Sequence, residues 1–175
     1  MKKLIALSIL LLFVFGSFGQ DSVKKTIVKY AENNELSIER PFNDSTTLEK
    51  PQNSLNLNKE NWEILGLEKL EEFNNIFEYS IYSIYKHKNN FILLISRDYS
   101  SETVHWICLF NKKFELKQFE MSAYDNDEGF LYISTEISDE YFLINKWEIE
   151  EGTQTFNYSI KKNKFELISV SITID

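Results

Sequence analysis

The chain has 175 residues, 43% of them hydrophobic and 26% charged, which suits one globular domain and excludes a disordered chain. Its single Cys excludes a disulfide framework and a multi-Cys zinc site, and its five Gly form no phosphate-binding loop. The formal net charge of −8 disfavours contacts with nucleic acid and with anionic lipid.

The first nineteen residues have the build of a secretory signal peptide. Lys2 and Lys3 form a basic start, an apolar run follows over 4–15, and small residues precede a cleavage point before Gln20. The run is too short to cross roughly 30 Å of hydrocarbon as a helix. We therefore predict export to the periplasm or out of the cell, with no stable membrane insertion after cleavage. The exported form would carry 17 basic and 27 acidic residues, a formal charge of −10.

Residues 20–57 are predicted to form a polar, flexible N-terminal segment. Val23, Ile27 and Tyr30 follow helical spacing and predict one short helix. The stretch 40–52 contains both prolines together with Asn, Asp, Ser and Thr, and it predicts a loop.

One or two short helices are predicted over 58–73. Asn58 suits the N-cap, because its side-chain oxygen can accept a hydrogen bond from a free backbone N–H. Trp62 and Leu65 then share a helix face, and Gly66 suits the left-handed position that ends a helix. We expect this apolar face to cover the core of a β domain.

From residue 79 onward the pattern is typical of antiparallel strands, within a single mainly β domain over 58–175. Aromatic and β-branched residues dominate, and breaks of a few residues recur at short intervals. Links this short favour hairpins over parallel crossovers. The eight predicted strands are Tyr79–His87, Phe91–Arg97, Thr103–Phe110, Leu116–Met121, Phe130–Ile137, Phe142–Glu150, Gln154–Lys161 and Leu167–Ile174.

The two sets of four strands are related by a shift of 51 residues. The sequence Lys-Phe-Glu-Leu at 113–116 recurs at 164–167, and in both sets the apolar alternation changes phase directly afterwards. Strand side chains alternate faces, so a phase change predicts a bulge or a turn. We interpret the chain as two consecutive four-stranded antiparallel meanders, at 79–122 and 129–174, packed as a sandwich or as an up-and-down barrel.

Two of the predicted strands are apolar at consecutive positions, which is typical of strands that are covered on both faces. These runs are Phe91–Ile95 and Val104–Phe110. We expect them to lie at the centre of the fold, with the helices near Trp62 as the second cover.

The hairpin sequence at 111–116 has the frame Asn/Asp-x-x-Gly-x-Leu, with Phe114 in the place of Gly. In this frame the β region resembles small secreted β-meander proteins of Bacteroidota-type bacteria, which are uncharacterised. The resemblance implies the fold and brings no activity with it.

Residues that could bind a metal are few. Asp125–Gly129 is the densest acidic cluster, but its Gly falls at position 5 of an EF-hand frame, which requires Gly at position 6. We interpret it as a solvated linker between the meanders. His87 and His105 lie on different strands, and Cys108 belongs to an apolar run, so no zinc site is expected.

A hydrolytic site is not expected either. Asp98, Ser100, Ser101 and His105 are close in sequence, but closeness does not supply the hydrogen-bond geometry of a nucleophile, a base and an acid. The chain also lacks a Gly-x-Ser-x-Gly elbow. We therefore predict no catalytic, cofactor-binding or metal-binding residue, and no enzyme.

The leading hypothesis is an exported, non-enzymatic β protein that binds a protein or a surface glycan. Aromatic side chains on a sheet offer contact area at a low entropic cost. The predicted partner-binding face consists of Tyr82, Tyr85, Tyr99, Tyr124, Asp125, Asp127 and Glu128. Two alternatives remain open. One is an acidic periplasmic inhibitor or immunity protein that masks a basic toxin or enzyme, and the other is a small β-barrel that carries an apolar ligand.

Overall fold

The structure is a computed structural model that describes residues 22–30, 42–45, 54–87, 89–99, 102–126, 131–137, 143–149, 152–161 and 164–174. Most of these residues belong to β-strands. In chain order the elements are helix α1 (22–30), β1 (Phe42–Asp44), β2 (Leu55–Asn56), helix α2 (Lys59–Ile64), a 3₁₀ turn (Leu67–Lys69), β3 (Glu78–His87), β4 (Asn90–Tyr99), β5 (Glu102–Asn111), β6 (Leu116–Asn126), β7 (Leu131–Ile137), β8 (Leu143–Ile149), β9 (Gly152–Lys161) and β10 (Lys164–Ile174).

The strands form one antiparallel sheet in which each strand from β2 to β10 pairs with the next along the chain. The predicted mainly β class with two consecutive meanders is confirmed, since β3–β6 and β7–β10 each form four neighbouring strands. The order ends at β2 on one side and at β10 on the other. Among the described residues the sheet is therefore open, which is consistent with the predicted sandwich.

The sheet folds over between the two meanders. Within the described residues, β6 and β7 pair at one position, Tyr124 with Ile133. Strand β1 pairs with the remaining part of β7, where Asp44 lies opposite Thr135. The side chain of Gln118 on β6 accepts a hydrogen bond from the backbone N–H of Phe165 on β10, at 2.9 Å. This contact joins the two meanders across the fold.

The fold has two hydrophobic cores, one on each face of the first meander. The first core lies under the helices and includes Ile27, Trp62, Leu65, Leu67, Tyr79, Leu93, Trp106, Cys108, Phe110 and Phe114. The second core lies between the meanders and consists of Tyr82, Tyr85, Ile92, Leu94, Ile107, Leu109, Ile137, Leu143 and Phe165. Strands β4 and β5 contribute to both cores, which confirms the prediction that they are covered on both faces.

The helices pack on the first core as their sequences predict. Ile27 of α1 is fully buried, with Val23 and Tyr30 packed beside it. Trp62 of α2 is also fully buried, its ring centroid lies 4.4 Å from that of Tyr79, and its Nε1 donates to the carbonyl oxygen of Glu71. An indole that is buried with its N–H paired contributes apolar area without leaving an unsatisfied donor.

The predicted limits of α2 are confirmed. Asn58 is the N-cap, and its Oδ1 accepts a hydrogen bond from the backbone N–H of Asn61 at 2.8 Å. Gly66 has φ 72°, the left-handed conformation that glycine adopts without strain.

The predicted phase change occurs in both meanders as a β-bulge. On β6, Leu116 and Gln118 pair with consecutive residues of β5, which leaves Lys117 as the extra residue. On β10, Leu167 and Ser169 pair with consecutive residues of β9, which leaves Ile168 as the extra residue. Because Lys117 and Ile168 are 51 residues apart, the repeat in the sequence is also a repeat in the strand register.

The stretch 40–52 differs from its prediction. Phe42–Asp44 form β1 where the composition predicted a loop, because tertiary pairing with β7 outweighs the local turn preference. Residue 45 is also described, and the rest of the stretch lies outside the described residues. The predicted signal peptide, 1–19, lies outside them as well. Among the described helices, none has the length and hydropathy needed to cross a membrane.

Candidate functional site

The tyrosines of the predicted binding face are not all on the surface. Tyr82 and Tyr85 are buried in the second core, so the prediction that they contact a partner is wrong. Both lie on β3, and the second meander covers that face of the strand. Alternation along one strand does not reveal that both faces are covered, and the apolar runs in the neighbouring β4 and β5 were the signal for it.

The other members of the predicted face are dispersed. Tyr99 is 46% exposed and lines an open depression with Glu78. Tyr124 is half-buried and packs on the first core, and Asp125 is half-buried on β6. Asp127 and Glu128 lie outside the described residues. The described tyrosines and Asp125 therefore form no common exposed face.

A buried polar cluster lies where β1 meets β3 and β5. It consists of Asp44, Tyr82, His105, Ser122 and Thr135, all nearly inaccessible to solvent. Tyr82 Oη donates to Asp44 Oδ1 at 2.7 Å, and His105 Nδ1 lies 3.0 Å from the same oxygen. The distance between Tyr82 Oη and His105 Nδ1 is 3.1 Å. Two polar groups, from β3 and β5, thus meet at one carboxylate oxygen of β1.

Two β-bulges build this cluster. Tyr82 is the extra residue of β3 in its register with β4, and Ser122 is the extra residue of β6 in its register with β5. The second bulge lies directly beside the pairing position of His105. A bulge re-aims side chains that regular alternation would direct elsewhere. Burial, together with the carboxylate of Asp44, raises the pKa of the Tyr82 phenol well above its ordinary value, so the hydroxyl stays a donor.

In the structure, the carboxylate that contacts His105 is not that of Asp98, which is close to it in the sequence. Asp98 accepts a hydrogen bond from Ser96, and Ser100 and Ser101 lie outside the described residues. The carboxylate beside His105 comes from Asp44, which is 61 positions away in the sequence. Sequence reasoning missed Asp44, because no local signal distinguishes it from the other polar residues of its loop-like stretch.

A second polar group lies at the edge of the first core. The Arg97 guanidinium forms ion pairs with Glu71, at 2.9 Å, and with Glu102. It also stacks over the ring of Phe77 at 4.7 Å, and Tyr79 Oη donates to Glu71 Oε1 at 2.7 Å. These contacts fasten the segment between the 3₁₀ turn and β3 onto the sheet.

Cys108 and the two histidines lie on strands of the first meander. Cys108 is buried and free, and burial raises the pKa of its thiol, which suppresses the reactive thiolate. His87 lies at the end of β3, away from His105 in the middle of β5. Within the part of the chain that the structure describes, no three His, Cys, Asp or Glu side chains are grouped to hold a metal ion.

Among the described residues, most of the exposed large hydrophobic side chains lie on the second meander. Ile149 is 41% exposed, Val170 47%, Ile172 64% and Ile174 80%. Together with Leu167, which is also exposed, they form what we call the open face. Scattered exposed aliphatic residues are common, but a contiguous group of them marks an interaction surface.

The register of the strands shows that these residues share one face. Ile174 pairs with Gly152, which in turn pairs with Ile149. In the next row Ile172 and Trp147 flank Gln154 on the two sides of β9. Paired residues point to the same side of a sheet.

The open face continues the second core towards solvent. Phe165 and Leu143, on the same side of the sheet, are buried against the first meander. Further along the strands, Trp147 and Phe156 are half-buried, with ring centroids 5.5 Å apart. The two meanders thus meet at one end of their strands and leave the apolar side chains of the other end uncovered by the described residues.

Strand β10 is also the outer edge of the sheet. It is 11 residues long, and in the described part of the chain its outer side pairs with no strand. From Leu167 to Ile174 it has neither a charged residue nor Pro. The opposite edge, β2, has only two residues. Natural proteins protect long edges with charge, Pro or shortness, and β10 has none of these in its exposed part.

The open face and the β10 edge are therefore the surfaces on which a function can be based. A comparison of the chain with protein families, with curated proteins and with solved structures gives no match.

Proposed function

We propose that this chain is an exported, non-enzymatic binding protein that contacts another protein through the open face. The observation that carries the proposal is the exposure of Ile149, Leu167, Val170, Ile172 and Ile174 on one side of one sheet. When a partner covers water-exposed aliphatic side chains, the free energy becomes more favourable by about 25 cal/mol for each Å² of apolar area removed from water. A contiguous group of them is the kind of surface that protein partners bury.

The chemistry of the open face favours a protein over a glycan. Its exposed members are aliphatic, and its aromatic neighbours Trp147 and Phe156 are half-buried. Aliphatic side chains have no hydrogen-bonding groups for the hydroxyls of a sugar, whereas they match the apolar side chains of another protein.

The absence of enzymatic activity is part of the proposal. The described histidine and carboxylate that come together, His105 and Asp44, are both fully buried. A substrate would have to displace β1 to reach them. Cys108, the only cysteine of the chain, is buried with a raised thiol pKa. These features support a structural role for the groups that would otherwise carry chemistry.

The test removes apolar area from the open face and leaves the strand intact. In the double variant Ile172→Thr, Ile174→Thr, both replacements are β-branched and favour strands. A partner captured by the wild type from envelope and culture fractions is identified by mass spectrometry and purified, and its dissociation constant is measured by calorimetry. We expect at least tenfold weaker binding by the double variant.

Thr173→Ser is the matched control, because Thr173 lies between the two isoleucines on the other side of the strand. This variant is expected to bind as the wild type does. Circular dichroism and thermal unfolding verify that all the proteins are folded. Equal affinities of the wild type and the double variant would show that binding does not use the open face.

A further inference from the structure

We infer that the free edge of β10 pairs with β10 of a second copy of this chain, so that the protein is a two-fold symmetric dimer with one sheet running through both copies. The inference rests on the proposed function in one respect, because the dimer joins the open faces of the two copies into one binding surface.

Strand β10 has fewer charged residues than its counterpart β6. With the shift of 51 residues, Lys117 of β6 corresponds to Ile168 of β10, and Glu120 corresponds to Ser171. Strand β6 thus has two charged residues where β10 has an aliphatic and a small polar one. Charged side chains on an edge oppose the addition of another strand. Strand β10 lacks these two charges, as expected of an edge that accepts another strand.

Strand β10 is complementary to a second copy of itself. After its bulge, Ser169, Ser171 and Thr173 lie on one side of the strand, and Val170 and Ile172 lie on the other. In an antiparallel pair centred on Ser171, Val170 of one copy lies opposite Ile172 of the other. On the other side, hydroxyl groups lie opposite hydroxyl groups. Both kinds of cross-strand pair stabilise a sheet.

The distribution of charge along β10 also favours pairing with a second copy. The register centred on Ser171 overlaps residues 168–174 of both copies, and this segment has no charged residue. Lys164 and Glu166 lie outside the overlap, at the start of β10, where the backbone of Phe165 is already bonded to Gln118. Self-pairing therefore brings no like charges together on the edge, and a strongly basic segment would find no acidic side chain there. A second copy matches the edge better than a charged partner does.

The dimer would have an isologous interface, in which the same strand of each copy contributes the same groups. The unpaired N–H and C=O groups of both edges would be satisfied at once, and neither edge would stay open for further addition. The open faces would then form one apolar surface, on which Val170, Ile172 and Ile174 of the two copies are neighbours.

The test places a charge on the proposed two-fold axis. Ser171→Glu puts into β10 the side chain that β6 already carries at the corresponding position, so the strand is expected to accommodate it. Sedimentation equilibrium of the wild type is expected to give twice the chain mass. The variant is expected to dissociate, with a dimer dissociation constant at least tenfold higher, because two carboxylates would lie opposite each other.

Thr155→Glu is the matched control. Thr155 pairs with Ser171 on the neighbouring strand β9, so the same charge is introduced on the same side of the sheet, one strand away from the edge. This variant is expected to remain a dimer. A dimer that survives Ser171→Glu, or that Thr155→Glu dissociates equally, would overturn the inference.

A cross-link tests the register. Ser171→Cys is expected to form a disulfide-linked dimer on mild oxidation, and Thr155→Cys is not. Only a residue on the two-fold axis lies opposite the same residue of the second copy, close enough for a disulfide. The native Cys108 is buried and stays out of this reaction. A wild type that sediments as a monomer at every protein concentration measured would overturn the dimer. In that case, partner binding that is lost in the Ile172→Thr, Ile174→Thr variant would still support the proposed function.

Discussion

Phe114 shows how packing decides the conformation of a single residue. It has φ 62°, in the left-handed region that glycine favours, at the hairpin position where the frame Asn/Asp-x-x-Gly-x-Leu has Gly. Its ring is fully buried, with centroids 4.7 Å from Phe91 and 5.4 Å from Phe110. The aromatic contacts offset a backbone strain of about 1–3 kcal/mol. A large apolar residue therefore replaces glycine in this turn.

The polar cluster of Asp44, Tyr82 and His105 holds β1 in the fold. Strand β1 has three residues, too few for its backbone pairing alone to anchor it. The Asp44 carboxylate accepts from Tyr82 and contacts His105, which ties β1 to β3 and β5. A buried carboxylate is costly to desolvate unless such hydrogen bonds compensate for it.

Substitutions in the cluster are expected to show how much the Asp44 carboxylate and the Tyr82 hydroxyl each contribute to the free energy of unfolding. Asp44→Ala leaves the Tyr82 hydroxyl and the His105 ring buried without their shared acceptor, and the free energy of unfolding should fall by about 3–5 kcal/mol. Tyr82→Phe removes one hydrogen bond and keeps the ring, so we expect a loss of about 1–3 kcal/mol. Urea denaturation measures both.

Asp44→Asn is the milder companion variant if Asp44→Ala does not fold, since it retains one acceptor oxygen at the same place. A loss below about 0.5 kcal/mol for Asp44→Ala, the range of neutral surface substitutions, would contradict the anchoring role of the cluster.

Among the elements, β3 and β10 illustrate the limit of strand patterns. Both are rich in aliphatic and aromatic residues, and both were predicted as strands. In β3 the seven residues from Tyr79 to Tyr85 are buried, whereas in β10 every residue except Phe165 is exposed. In these two strands polar and apolar residues are mixed, so the pattern predicts a strand and does not decide whether it is central or an edge; the continuous apolar runs of β4 and β5 do decide it.

Gly152 is the residue at which β9 begins, and its conformation permits the close pairing with β10. It has φ 136°, and a carbon at its β position would collide with the backbone carbonyl oxygen of Thr173. We expect Gly152→Ala to lower the free energy of unfolding by about 1–3 kcal/mol. Hydrogen exchange should also show faster exchange in the last residues of β10.

Gly66→Ala is the control for this prediction. Gly66 is also left-handed, with φ 72°, but the nearest atom to an added β-carbon is 4.0 Å away, on Leu116. Only backbone strain of about 1 kcal/mol is expected there, with no effect on exchange in β10. If the two variants lose equal stability and β10 is unaffected in both, the close approach at Gly152 does not matter.

At the scale of the whole molecule, the first meander is the central layer of the fold. Helices α1 and α2 cover one of its faces, and the second meander covers part of the other. The second meander has a single partner layer, and that layer reaches only one end of its strands. The open face follows from this unequal coverage, since no described element packs on the outer end of the second meander.

The hypothesis of export also concerns the whole chain. It rests on the basic start, the apolar run and the small residues within 1–19. N-terminal sequencing of protein from the periplasm or the culture medium is expected to begin at Gln20. Deletion of 2–19 should retain the protein inside the cell. Exported material that begins at Met1 would contradict cleavage at this position.

Much of the fold could be predicted because it depends on neighbours in the sequence. The eight long strands, the cap at Asn58, the left-handed Gly66 and the two bulges 51 residues apart all follow from local spacing and backbone preference. The partner-binding face could not be predicted, because Tyr82 and Tyr85 have the same local pattern that they would have on a strand with one exposed face.

The sequence by itself determined the β class, the antiparallel meanders, their repeat and the helices that cover the first core. These rest on periodicity, short links and capping, which act within a few residues of each other. Only the tertiary structure decided that Asp44 joins His105, that Tyr82 is buried and that β10 is an exposed apolar edge. Each of these depends on contacts between segments far apart in the chain, and the local pattern of Asp44, Tyr82 and β10 does not reveal which distant segment packs against them.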